Sequence, residues 1–257
     1  MNKKQVLIIL LITITTISLI FVMPSFAGPG GKIAKVIATT LLGKVILAVL
    51  TIIFLPLILY VWLREKLAER RTLKDLAFMA KYSPNFEWLR AKERILDCFY
   101  RIHRAWSTED VSEASEYMSD WYWQNQQLVY LEKWKREGLY NECEVKKIQS
   151  IRPLLFVHRN DDSEHEGSLL IVSITARMKD FLVKRNTNEV VEGDKKFKDN
   201  ETVWSFTLID NKWRVSNIEE SDFSLGYAGQ IKYLPKIEDT LISENVIPAK
   251  KKWESSY

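Results

Sequence analysis

An α+β domain carried behind a membrane-crossing helix is what the sequence predicts, and three observations lead there. Apolar residues crowd the first quarter of the chain. The next stretch repeats at helical spacing, and the last long stretch is cut into strand-like runs by turn residues. The chain has 257 residues, 47% hydrophobic and 27% charged, and most of the charge follows Leu63. Setting the apolar quarter aside leaves about 190 residues, enough for one domain and its connections.

Two apolar segments make up that first quarter. The first follows the basic start Met1-Asn2-Lys3-Lys4 and runs from Val6 to Val22. Ser25 and Ala27 then offer the small side chains a signal peptidase accepts, so residues 1–27 read as a signal peptide cleaved before Gly28. An uncleaved signal anchor is the alternative. The second segment, Val45 to Leu63, holds no charged residue in nineteen. At about 1.5 Å per residue it reaches ~28 Å, close to the hydrocarbon thickness of a bilayer. Tyr60 and Trp62 suit the interface, and Pro56 is tolerated in membrane helices.

Charge sets the expected orientation. Arg64, Lys66, Arg70, Arg71 and Lys74 follow the span, against Lys32, Lys35 and Lys44 before it. The excess places the C-terminal side in the cytoplasm. Either fate of the first segment gives the same result, and the leader points to a bacterial inner membrane. Residues 64–85 read as a basic juxtamembrane helix or linker, with Lys66, Arg70, Arg71 and Lys74 the candidates for contact with anionic lipids.

The net charge of +4 mixes 37 basic with 33 acidic residues, without the dense basic stripe of a nucleic-acid binder, so no nucleic-acid partner is expected. Cys98 and Cys143 are too few and too far apart for a disulfide framework, and read as two thiols in a reducing compartment.

Beyond Ser83-Pro84, which marks a helix start, apolar residues at Leu89, Ile95, Leu96, Phe99, Ile102 and Trp106 form one stripe. Ser107-Thr108-Glu109-Asp110 stops that helix and caps a second with Val111, Ala114 and Met118. Ser119-Asp120 opens a third through Trp121, Leu128, Leu131 and Trp134, closed by Gly138. Strands are expected over Val145–Val157, Ser168–Phe181, Thr202–Ile209 and Trp213–Ile218, with turns at Asn160–Ser163, Asn186–Asn188 and Asp210–Lys212. Helices first and an antiparallel meander after give an α+β domain.

Particular words in that order resemble the Tim44-like domain family. They are Phe99–Trp106 followed by Glu109-Asp110, then Gly138–Asn141, and Ile174–Asp180 with Val190–Asp194. Glu201–Phe206 and Trp213–Ile218 complete the set, covering roughly residues 86–220. Leu208 and Ile209 stand where an arginine is often expected after the Trp-x-Phe word. The resemblance implies a cone-shaped, nuclear-transport-factor-2-like fold; residues 221–257, beyond its reach, read as a C-terminal extension, partly ordered and then loose. It also implies a membrane-apposed adaptor rather than a catalyst. Mitochondrial relatives touch acidic lipids and tether a chaperone or the ribosome near a translocation pore. The implied partner is an unidentified membrane or translocation-associated protein; chaperone recruitment does not carry over, because the stretch before the domain is short and mostly membrane.

The same cone hosts enzymes, and Asp97, His103, Asp180 and Glu201 would be the acid or base candidates. His103 reads as a partly buried structural histidine, and His158 and His165 as exposed beside a turn. No metal-ligand spacing, glycine-rich phosphate loop or nucleophile elbow is present, so no catalytic residue, cofactor or metal is expected. Trp121, Tyr122, Trp123, Trp134 and Trp204 are the candidates for a pocket or partner surface, with Trp213 weighed beside them as core or cavity wall. At least one of Trp121, Tyr122 and Trp123 must face away from the core. Two further readings stand beside the adaptor: an extracytoplasmic cone-fold subunit of a secretion complex, and a small-apolar-ligand-binding protein or enzyme.

Overall fold

The computed structural model describes residues 40–159 and 165–241. The expected signal segment and its cleavage point, Lys32, Lys35, the Asn160–Ser163 turn and the tail from Ile242 lie outside the described residues. The chain divides into two units, Met1–Leu63 and Arg64–Tyr257.

Helix α1 runs from Leu41 to Met79 and takes Pro56 inside it. From Val45 to Leu63 it carries no charged side chain, and large apolar ones such as Ile53, Phe54, Leu57 and Trp62 are exposed. The Thr51 hydroxyl, inside the run, donates to the Leu47 carbonyl at 2.8 Å, so it adds no unsatisfied polar group. By length and composition this helix can cross a membrane. In the second unit α1 becomes one-sided. Ala68, Thr72, Leu76 and Met79, spaced by three and four, are buried.

Ser83 and Pro84 do start a helical turn, but a short one. The Ser83 hydroxyl accepts from the Asn85 amide and caps a 3-10 turn over Pro84–Phe86. Helix α2 then spans Trp88–Ser107 and buries Ala91, Ile95, Cys98, Phe99, Ile102, His103 and Ala105. Leu89 departs from the expected stripe: it lies in the first turn, past the edge of the core, and is 63% exposed. The second helix is a 3-10 segment, Val111–Tyr117, capped by the Asp110 carboxylate on the Ser112 amide at 3.0 Å. The third is α3 (Asp120–Asn125), a π-helical turn (Gln126–Leu131) and α4 (Glu132–Arg136).

Four antiparallel strands follow in the order β1-β2-β3-β4. They are β1 Leu139–Val157, β2 Leu169–Lys184, β3 Val190–Ile209 and β4 Lys212–Glu220. The Val190–Asp194 and Thr202–Ile209 segments are thus one 20-residue strand. Asp210 and Asn211 close the last hairpin with positive φ of 50° and 58°, the left-handed pair that matches strand twist in a two-residue loop. Register shifts interrupt β1 three times, β2–β3 twice and β3–β4 once, and each bends the pairing locally. Gly193 stands at such a place. Its φ is +82°, and a side chain there would run into the Asp180 carbonyl.

Alternation along the strands builds two cores. Leu170, Val172, Ile174, Trp204, Phe206, Leu208, Trp213 and Val215 join α2, Leu76 and Met79. Ile171 and Val203 face the other way, with Leu154 and Leu155, under Tyr227, Ile231 and Leu234. Helix α5, Ser224–Gln230, belongs to that covering segment.

A charged cluster holds that second face together. Arg152 donates to Glu65 of α1 at 2.9 Å and to Glu201 of β3 at 2.5 Å. Ser173 adds a donor to Glu201, and Ser224 donates to Glu65 at 2.7 Å. Burial works against the Arg152 charge, and the two carboxylates more than offset it, raising its pKa. Replacing Arg152 by Met leaves both carboxylates without their cation. Because the guanidinium side chain is 30% exposed, the expected loss is about 2 kcal/mol, below the 3–5 kcal/mol of a fully buried pair. Urea unfolding of the detergent-solubilised chain, followed by tryptophan fluorescence, reads it; adding Glu65→Gln is expected to recover part of the loss.

Candidate functional site

A cavity of about 680 Å³ opens between the helices and the sheet. Trp106 of α2, Gln126, Tyr130 and Leu131 of the π-helical turn, and Trp134 of α4 form one wall. Asn141, Asp180 to Leu182, Glu192, Gly193, Asn200 to Thr202 and Glu220 form the other. A second recess of about 280 Å³ shares Trp106, Asp180, Asn200, Thr202 and Glu220, and reaches inward to His103, Met178 and Trp204. The π-helical turn matters to this geometry, since three of its residues face the cavity. Such an insertion is a common device at sites.

His103 forms the inner end. Its ring stacks on Trp204 with centroids 5.7 Å apart and lies 4.1 Å from the Phe99 ring. Nδ1 sits 2.7 Å from the Phe99 carbonyl oxygen. A carbonyl only accepts, so Nδ1 carries the proton and Nε2 of the neutral ring presents a lone pair. Burial lowers the His103 pKa, against opposing contributions from the Phe99 carbonyl and the Asp180 charge. Asp180 accepts from the Asn141 amide at 2.9 Å.

The four acid or base candidates separate. His103 and Asp180 line the same recess, whereas Asp97 pairs with Arg101 and Arg94 on the surface. The Glu201 carboxylate is committed to Arg152 and Ser173. Among the described residues no three His, Cys, Asp or Glu side chains converge as a metal set. Cys98 is buried, and burial pushes its thiol up to about 12, so it stays protonated and unreactive at neutral pH.

The tryptophan set also divides. Trp134 and Trp204 line cavity space. Tyr122 is buried in the main core and Trp123 packs at its edge. Trp213 is core, its indole donating to the Asn85 carbonyl at 2.8 Å. Trp121 is the one that turns outward, 71% exposed, and Leu128 of the expected stripe is exposed on the same helical run.

The basic flank is uneven. Arg70 and Lys74, four residues apart, are exposed on one face of α1. Lys66, one turn earlier, pairs with Glu69 at 2.8 Å. Arg71 is tied into the domain, bonding Asp75 at 3.4 Å and the Pro235 carbonyl at 2.8 Å. Nothing in the apolar and basic pattern around Arg71 marks that long-range contact, and Arg152 likewise lies unannounced between apolar strand residues.

His158 and His165 correct the sequence expectation. His158 is 8% exposed, its Nδ1 2.7 Å from the Thr240 hydroxyl and its Nε2 2.9 Å from Nδ1 of His165. Both rings meet Phe86 edge-on. The C-terminal segment around Thr240, which no local pattern places there, covers the pair.

No family model and no curated protein matches the chain. Among solved structures it is similar to the intermembrane-space region of the chloroplast protein ARC6, with a TM-score of 0.33 and 8% identity. That likeness covers 49% of this chain and 93% of the other, and is too distant to bear on function.

Burial, and then the neighbouring His165, push the His158 pKa down from 6.5 to about 4. The unfolded chain therefore binds a proton before the folded one does. The stability that neutral His158 contributes is complete above pH 6.5 and is lost as the pH falls towards 4. Thermal unfolding at pH 7.5 and 4.5 is expected to show a lower midpoint in acid, and His158→Asn to shrink that difference. Equal pH dependence in parent and variant would contradict the assignment.

Proposed function

We propose that this chain is a membrane-anchored adaptor of the Tim44-like kind. In this reading residues 45–63 span a bacterial inner membrane, and the α+β domain lies against the cytoplasmic surface, where it holds a protein partner concerned with membrane-protein translocation or assembly. The observation that carries the reading is α1 itself. Its apolar part exposes large side chains on every side, as lipid contact requires, and the exposed cations Arg70 and Lys74 follow within three turns. Helices followed by a bent antiparallel meander, with a cavity between, support a cone-shaped nuclear-transport-factor-2-like domain. Trp121 and Leu128 offer an exposed apolar face to the protein partner.

Topology tests the reading first. In intact spheroplasts the domain is expected to resist added protease and to be digested only after lysis. Digestion from outside would favour the extracytoplasmic secretion subunit instead.

Lipid contact is tested on the compact unit Arg64–Tyr257. Arg70→Glu with Lys74→Glu spares the bonds of Arg71. At about 1 kcal/mol per cation near an anionic surface, loss of both is expected to weaken sedimentation with phosphatidylglycerol vesicles by about thirtyfold. Added salt should shrink the gap. Equal sedimentation of parent and variant at low salt would remove the lipid role.

A further inference from the structure

The cavity offers its occupant a restricted set of polar groups. The residues lining the two recesses include no Lys or Arg. The carboxylates of Asp180, Glu192 and Glu220 stand around it, and neither Glu192 nor Glu220 makes an ion pair among the described residues. Acidic residues alone do not define a site, but His103 adds an independent observation. It keeps 6% of its surface, and with Nδ1 spent on the Phe99 carbonyl, Nε2 makes no hydrogen bond among the described residues. The ring lines the inner recess, so its free lone pair is an acceptor available to a donor held there. The walls between are aromatic: Trp106, Tyr130 and Trp134.

Negative charge, an imidazole acceptor with no partner among the described residues and π-faces together favour one chemistry. An anion would meet three carboxylates, and a neutral apolar molecule would leave Nε2 unpaired. A protonated amine gives N–H donors to Nε2 and the carboxylates while its carbon chain covers the rings, and its charge is attracted to the ring faces. We propose that the cavity binds a small organic ammonium ion, with His103 Nε2 and Asp180 as acceptors at the inner end and Glu220 holding charge at the mouth. The volume of about 680 Å³ admits a molecule of roughly that class with room for water, within the ~300–1,000 Å³ of small-molecule sites. Nothing in this inference depends on the adaptor reading.

The test uses the full chain in detergent, titrated by calorimetry and tryptophan fluorescence. The probes are 1,4-diaminobutane and 2-phenylethylamine, set against their uncharged counterparts 1,4-butanediol and 2-phenylethanol. Each amine is expected to bind at least tenfold tighter than its alcohol. Asp180→Asn and Glu220→Gln should each weaken amine binding at least threefold and leave the alcohols unchanged. His103→Phe, which keeps a ring on Trp204 but removes the acceptor, should do the same; Leu89→Ser, on the exposed start of α2, should bind as the parent does. Alcohols binding as well as amines would overturn the proposal. So would folded protein that takes up neither amine at 10 mM, or carboxamide variants with parental affinity.

Discussion

A single guanidinium sets how the domain is assembled around its sheet. Arg152 sits on β1 with a carboxylate from α1 on one side and one from β3 on the other. Half-buried charges are tolerated only in pairs, so Glu65, Arg152 and Glu201 must come together or each bear its own desolvation cost. Satisfying them brings the end of α1 that follows the apolar run onto the sheet, and Ser224 extends the same bonding to α5. With the Arg71 bond to the Pro235 carbonyl, this stitches the start and end of the unit to one face.

Covering that face has consequences for the other. A sheet covered on both sides bends most sharply where its pairing is interrupted, and the register shifts supply those places. One falls between Met178 and Asp180, where β2 leaves the main core and enters the cavity wall. Gly193 lets β3 approach there without a side chain. Across the gap, the π-helical turn sets Gln126, Tyr130 and Leu131 along the cavity wall between α3 and α4. The cavity is thus what remains between a sheet that bends and a helix that is interrupted.

Local pattern showed some of this and hid the rest, for definite reasons. The stripe through Ile95, Phe99 and Ile102 and the Asp210-Asn211 turn were legible because each is set by residues near in sequence. Leu89 misled because apolar spacing does not reveal where a core ends. The apolar start of β2, Leu169–Val172, does not alternate because both faces of the strand are covered there. The covering segment, Tyr227 to Leu234, has no strong period of its own. Candidate site residues fared likewise. His103 and Asp180 were visible by type, but only tertiary folding puts them in one recess and sends Glu201 to Arg152. His158 and His165 read as exposed because nothing nearby in sequence announces Thr240.

In the proposed function α1 serves two solvents in one run: lipid around residues 45–63, protein and water from Arg64 on. Spin labels placed singly along positions 45–79, with the chain in phospholipid nanodiscs, report this directly through collisions with oxygen and with a water-soluble nickel complex. The expected profile is oxygen-dominated through 45–63, nickel-accessible at 70 and 74, and protected from both at 72 and 76. Nickel access throughout 45–63 would contradict it, because the apolar run would then lie in water and the adaptor would have no anchor.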